Sequence, residues 1–347
     1  KERPAGWMRP WGGGSPGSVW HWSHAAESHF YGAFWSGMPD LNYRNPAVTR
    51  EAVAIGRHWL GSGAAGFRFD AARYLIEDGP HPAQADTRAT RTWWKDYHRT
   101  LGKEFYSVGE VWVNDLTKVA SYYDGGSSLR QVFDFSFYSA LIRTLQTGNP
   151  DWLRNHILAL KQSGAPLSFF APFLDNHDQP HGNRRLMDAI SGAGERHWAL
   201  AKAAACLLLT FSGTPYVYYG TEIGMTRGPQ HGDRAKRTPM DWDEAARQQD
   251  NEDSLLATYR RLIALRRRET ALRRGDIIPL ASRDNRFVAW LRPGPERSVI
   301  VVLNPGRETQ RDLVNLSPLR GLAARSRSLL EATPVGSWRE RGNTIFK

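Results

Sequence analysis

Three carboxylates stand where strand-like runs end: Asp70 after Gly66-Phe67-Arg68-Phe69, Glu110 after the run 105–109, and Asp178 after Phe173-Leu174-Asp175-Asn176-His177. Carboxyl groups serve as nucleophiles or proton carriers when their surroundings set their ionisation. Residues two apart in a strand share a face, so Arg68 and Asp70 point one way and Phe67 and Phe69 the other. A buried Arg68 would hold Asp70 ionised and suited to nucleophilic attack. Glu110 is followed by Val111 and Trp112, and an apolar, aromatic surround favours a protonated carboxyl that can act as an acid. Two carboxyls pushed apart in this way are the signature of glycoside hydrolysis. In its retaining form they stand about 5–5.5 Å apart, one as nucleophile and the other as acid and then base. Asp178, beside His177, would be a third group that holds sugar hydroxyls and distorts the ring. Singly, each feature has a plainer reading: a structural Arg68–Asp70 ion pair, a core histidine at His177, an ordinary cap at Asn176. Those readings do not explain three such clusters ending three apolar strands.

Elements that could position these groups alternate along the chain. Residues 1–45 read as irregular, with Gly12-Gly13-Gly14, Pro10, Pro16 and many tryptophans. A helix is expected over 46–60, with Pro46 in its first turn and Val48, Val53, Ile55 and Trp59 as its apolar positions. Further helices are expected over 87–101, 116–122, 152–162, 196–210 and 254–267. Strands are expected over 66–70, 105–108, 132–135, 166–174 and 216–219. Strand–helix alternation argues for a parallel sheet with crossover helices. Polar residues at the strand ends match a (β/α)8 TIM barrel with its site on the C-terminal face. Five such units are visible, so the first three strands of the barrel are expected to be missing from this chain. From about 274 onward, short alternating runs and Asn304-Pro305-Gly306 read as a small antiparallel β domain. The expected organisation is the end of a loop domain inserted in the barrel over 1–45, the later βα units of a catalytic barrel over 46–272, and a C-terminal β domain over 273–347.

Composition narrows the partners. The chain of 347 residues carries a net charge of +11, yet its 46 basic residues are scattered and show no block interleaved with aromatics. Nucleic acid is therefore not an expected partner. The densest run, Arg266-Arg267-Arg268, reads as a solvated helix end, where cations suit the dipole. A single cysteine, Cys206, excludes an internal disulfide. No stretch has the length of a transmembrane helix, so no membrane partner is expected. The first residue is Lys, and the absence of a leader carries no information about compartment.

The residues 66–72, Gly109-Glu110-Val111-Trp112, and Phe173-Leu174-Asp175-Asn176-His177-Asp178 resemble three signature regions of the α-amylase family of glycoside hydrolases. Met38-Pro39-Asp40-Leu41-Asn42 resembles a fourth, in the form found in the group intermediate between oligo-1,6-glucosidases and neopullulanases. Phe211-Ser212-Gly213-Thr214-Pro215 through Gly220-Thr221-Glu222 resembles the family's eighth-strand region. The resemblance implies Asp70 as nucleophile, Glu110 as acid/base and Asp178 as the transition-state-stabilising carboxylate. It implies Arg68 and His177 as substrate and carboxylate partners. Apart from the resemblance, the loop aromatics Trp22, Trp35, Tyr74 and Trp112 could stack on glucose rings, although each singly has packing as its plainer reading. The implied reaction is retaining hydrolysis of α-1,4 links in starch-type glucans or maltooligosaccharides. A transglycosylase or α-glucosidase of the same family, or an inactive glycan-binding fragment, are the alternatives. No organic cofactor is implied. Calcium enters only through a further signature region, a strand end with Asp and Asn-His, that has no match here, so no residue is assigned to a metal. A polymer substrate would suit a secreted or periplasmic enzyme. Two further departures are Arg73-Tyr74, where many α-amylases carry Lys-His, and His181 after Asp178-Gln179-Pro180.

Overall fold

The computed structural model describes residues 4–12, 17–102, 104–178, 184–306, 308, 311–315, 337–340 and 343–346. The chain forms two compact units, Lys1–Phe133 and Asp134–Lys347.

The first unit opens with a hairpin that the sequence reading does not expect. Strand β1 (Trp20–Ser23) pairs antiparallel with β2 (Ser28–Tyr31), Trp20 opposite Tyr31. Its turn carries no glycine signal, because the left-handed position at φ 44° is taken by Glu27. Aromatic contacts hold it: Trp7, Trp20 and Tyr31 have ring centroids 5.4 Å apart in each pairing, and cross-strand aromatic pairs stabilise short hairpins. Gly13, Gly14 and Pro16 lie outside the described residues.

Helix α1 (Pro46–Gly61) begins where the sequence places it, with the Asn45 side chain accepting from the Ala47 N–H. Its buried face differs from the expected one: Val53 and Gly56 are buried, whereas Ile55 and Trp59 are 52% and 54% exposed. Gly56 decides this. A Cβ there would meet Tyr97 Oη at 2.5 Å, so α1 lies against α2 (Arg88–Leu101) along its smallest residue. Strands β3 (Gly66–Phe69), β4 (Tyr106–Gly109) and β5 (Gln131–Asp134) run parallel in that order. Gly66 sits opposite Tyr106, and a Cβ on it would lie 1.9 Å from the Tyr106 carbonyl oxygen. Helix α3 (Leu116–Ala120) lies between β4 and β5 in sequence, with the Asp115 side chain accepting from the N–H groups of Thr117 and Lys118.

In the second unit, helix α4 (Phe135–Thr147) replaces the expected continuation of a strand through Phe135. The aromatic run around it has strand propensity. However, the Asp134 carboxylate accepts from the Phe137 N–H at 2.9 Å and caps a helix instead. Helix α5 (Asp151–Gln162) returns His156 to the same Asp134, at 2.8 Å. Strand β6 is short, Phe170–Pro172. The expected strand over 216–219 is reduced to one parallel bridge, Phe173 opposite Tyr216. Pro215 has no N–H to give a ladder, and Tyr218 and Tyr219 turn instead to the buried Arg185, which lies 5.0 Å from each ring.

Helices α6 (Leu186–Ile190), α7 (His197–Thr210), α8 (Trp242–Gln249), α9 (Leu255–Arg268) and α10 (Thr270–Arg274) follow. The basic run closing α9 is not wholly solvated. Arg266 is buried and donates to the carbonyls of Leu209, Phe211 and Gly213, tying α9 to the end of α7. Strands β7 (Ile278–Pro279), β8 (Val288–Arg292) and β9 (Val299–Leu303) form an antiparallel sheet over Leu280, Phe287, Ala289, Leu291 and Val314. Strands β10 (Leu313–Val314), β11 (Ser337–Glu340) and β12 (Asn343–Phe346) form a second antiparallel sheet in the order β10-β12-β11. The parallel strands with crossover helices are of the (β/α)8-barrel class, followed by the expected C-terminal antiparallel part.

Candidate active site

Strands β3 and β4 deliver two carboxylates side by side. Phe69 is in register with Gly109, so Asp70 and Glu110 are the next residues out of neighbouring strands. The backbone stitches them together: the Glu110 N–H donates to the Phe69 carbonyl at 2.8 Å, and the Ala72 N–H to the Glu110 carbonyl at 3.1 Å. Arg68 shares a face with Asp70, as the alternation requires, while the Phe67 and Phe69 rings meet on the other side at 5.8 Å. Arg68 Nη1 donates to Asp70 Oδ1 at 2.6 Å, and Nη2 donates to Glu110 Oε2. One guanidinium therefore spans both carboxylates. Ala71, next to Asp70, takes φ 45° without being glycine. Such strain persists only where neighbours over-determine the backbone. Here the Ala72 N–H is engaged as above, and its carbonyl accepts from Trp94 Nε1 at 2.8 Å.

Two sequence expectations change. Arg68 is not buried: its side chain is 33% exposed and that of Asp70 66%, because β3 is an edge strand among the described residues. Glu110, 14% exposed, sits on the Arg68 guanidinium rather than in a purely apolar surround. The period of two in β3 aims Arg68 at the point where both strands end.

Tyr74 and Trp112 lie beside this pair and meet through Arg73. Arg73 Nη1 donates to the Trp112 carbonyl at 2.6 Å and to Tyr74 Oη at 3.2 Å. The Tyr74 ring packs against Trp11 and Phe34. Burial pushes its hydroxyl above the ordinary range; Arg73 opposes that rise, and the charges of Asp86 and Glu110 add to it. Asp40, from the segment 38–42, accepts from the Ala33 N–H at 2.7 Å, and burial raises its carboxyl.

In the second unit, His177 Nε2 and Asp178 Oδ2 are 2.8 Å apart. Arg237 Nη2 donates to Asp178 Oδ1 at 2.6 Å, and its Nε to the His177 carbonyl at 3.3 Å. The Asp178 N–H donates to Asn176 Oδ1 at 2.8 Å. Beneath lies Asp175, whose carboxylate accepts from the Leu186 N–H at 2.6 Å and from Thr221 Oγ1 at 2.7 Å. Gln179, Pro180 and His181 lie outside the described residues.

The structure thus brings together Arg68, Asp70 and Glu110, then Tyr74 and Trp112, and separately His177 and Asp178. Sequence reasoning missed Arg73 with Asp86, and Arg237. A basic residue three positions past Asp70 was a signal for the first. Arg237 lies in Ala235-Lys236-Arg237-Thr238, where no periodic frame points to a site. Among the described residues no group of three or more His, Cys, Asp or Glu side chains converges as metal donors. None of the described helices is long and apolar enough to cross a membrane.

The chain is similar to known proteins. Residues 1–275 match the family model described as alpha amylase, catalytic domain. The chain is 27% identical to Alpha-amylase 3 of Dictyoglomus thermophilum over 316 residues, covering 82% of this chain and 59% of that protein. It is 27% identical to Trehalose synthase of Thermus thermophilus over 375 residues, covering 88% of this chain and 38% of that protein. The solved alpha-amylase from H. orenii superposes with a TM-score of 0.69 at 27% identity, covering 94% of this chain and 67% of that one. The chain therefore spans between about four-tenths and two-thirds of these relatives' lengths.

Proposed function

Because the chain belongs to the alpha-amylase family, we propose that it carries the catalytic residues of a retaining glycosidase acting on α-1,4 links of starch-type glucans or maltooligosaccharides. The observation that carries the reading is Arg68 spanning Asp70 and Glu110 at adjacent strand ends. Two carboxyls gathered by one guanidinium at adjacent strand ends are consistent with the covalent, retaining course, in which one is nucleophile and the other acid and then base.

In this reading Asp70, paired with Arg68, attacks the anomeric carbon. When the glycosidic oxygen takes the place of the guanidinium, Glu110 takes up a proton from solvent and then gives it to that oxygen as the C–O bond breaks. The sugar is then bonded to Asp70. Glu110, now a carboxylate, takes a proton from water as that water attacks the same carbon and frees Asp70. Asp178, held by His177 and Arg237, would bind sugar hydroxyls more tightly in the distorted transition state. Tyr74 and Trp112 would supply apolar faces to sugar rings.

A second reading passes the same intermediate to a sugar acceptor; similarity to a protein named trehalose synthase favours it. One experiment addresses both. Maltoheptaose is incubated with the chain, and the anomeric form and length of the products are followed by NMR. Initial release of α-anomers supports the retaining hydrolase, and products longer than the substrate support transfer. Asp70→Asn and Glu110→Gln are each expected to lower turnover at least ~1000-fold with the fold intact. Near-wild-type rates in either variant, or a folded wild-type chain that binds maltoheptaose without turnover, would refute the reading.

A further inference from the structure

Arg73 stands where the sequence departs from the family pattern, and the structure turns its guanidinium inward. The side chain is 12% exposed and that of Asp86 is 10% exposed. Arg73 Nε donates to Asp86 Oδ1 at 2.9 Å, and Nη2 completes a second bond to Asp86 Oδ2. This is a planar fork on a carboxylate, which a lysine cannot reproduce. Asp86 is fixed in turn. Its backbone takes φ 55°, its carbonyl accepts from Arg91, and its Oδ1 accepts from Tyr122 Oη at 2.8 Å. Tyr122 is fully buried, and burial beside Asp86 pushes its hydroxyl well up, so it stays a donor.

From this anchor Arg73 Nη1 reaches the Trp112 carbonyl at 2.6 Å. Glu110 lies two residues before Trp112, and its own backbone is tied to Phe69 and Ala72. The segment carrying Glu110 is thereby held at both ends by the segment carrying Asp70. Arg68 links the two carboxylates directly. Arg73 links the backbone behind them.

We propose that Arg73, locked by Asp86 and Tyr122, is a positioning residue that sets where Glu110 stands relative to Asp70. The inference rests on the function proposed above. Its consequence is specific: loosening Arg73 should impair the proton transfer by Glu110 more than the attack by Asp70. A sugar leaving group needs that proton. A fluoride leaving group departs as the anion with little help, as the C–F bond breaks and the Asp70–carbon bond forms.

The test compares wild type, Arg73→Lys and Tyr122→Phe on maltoheptaose and on α-maltosyl fluoride, with initial fluoride release reporting formation of the glycosyl-enzyme. Arg73→Lys is expected to lower kcat on maltoheptaose about 100-fold, the scale of an ångström-sized misplacement. Its KM should change less than about threefold, and fluoride release should fall less than about fivefold. Tyr122→Phe, which keeps the buried ring, should show the same split at about 10-fold. Equal losses on both donors would mean a merely structural role and overturn the proposal. Unchanged kcat on maltoheptaose in Arg73→Lys would also overturn it. A folded wild type inert toward both donors would refute the glycosidase reading itself, and the positioning role with it.

Discussion

Asp175 offers a measurement independent of any substrate. It is fully buried under the His177–Asp178 segment, and burial pushes its carboxyl from 3.8 up to about 6, against the hydrogen bonds from Thr221 and Leu186 that favour the anion. The sign follows from proton linkage. The folded state binds the Asp175 proton more tightly than the unfolded state, so stability from this group is fully present below about pH 4. It is lost as pH rises through about 6. The whole shift corresponds to about 3 kcal/mol, and the part crossed between pH 5 and pH 8 to about 1.5 kcal/mol. Asp175→Asn removes the ionisation and keeps the shape. Its amide oxygen can still accept from the Leu186 N–H, and its NH2 can donate to Thr221 Oγ1. Urea unfolding of wild type and variant, followed by tryptophan fluorescence at pH 5 and pH 8, isolates the effect as a double difference. The variant should gain about 1.5 kcal/mol on the wild type in going from pH 5 to pH 8. A double difference near zero, or of opposite sign, would refute the reasoning and mean that nearby Arg185 compensates the buried charge.

Two further outcomes concern packing and reactivity. Gly66→Ala would place a methyl 1.9 Å from the Tyr106 carbonyl oxygen. It should destabilise the chain by about 3 kcal/mol, seen as a lower Tm, and an unchanged Tm would show that β3 and β4 are not in this register. The Cys206 thiol is pushed up to about 11 by burial. It should react with a disulfide reagent at pH 8 at least ~100-fold more slowly than after unfolding in urea, and equal rates would place it at the surface.

What the chain determines by itself is local. Alternation in Gly66-Phe67-Arg68-Phe69-Asp70 puts Arg68 with Asp70 because a strand's period is two, and the structure keeps that pairing at 2.6 Å. Asn45-Pro46 starts α1, and Ser254 starts α9, because side-chain capping and the fixed proline φ act within a few residues. The strand-end carboxylates were legible for the same reason. Tertiary structure decided whatever depends on which neighbour arrives. Arg68 finds Glu110 across 42 positions, Arg73 finds the Trp112 carbonyl across 39, and Arg237 finds Asp178 across 59. No periodicity encodes such distances. The aromatic run at 133–138 suits strand or helix equally, and the Asp134 cap on Phe137 settled it as α4. The face of α1 was chosen by the fit of Gly56 against Tyr97, not by hydrophobicity. Short-range sterics are written in adjacent residues. The partner of a charge, or the side of a helix that is covered, exists only once separated segments pack together.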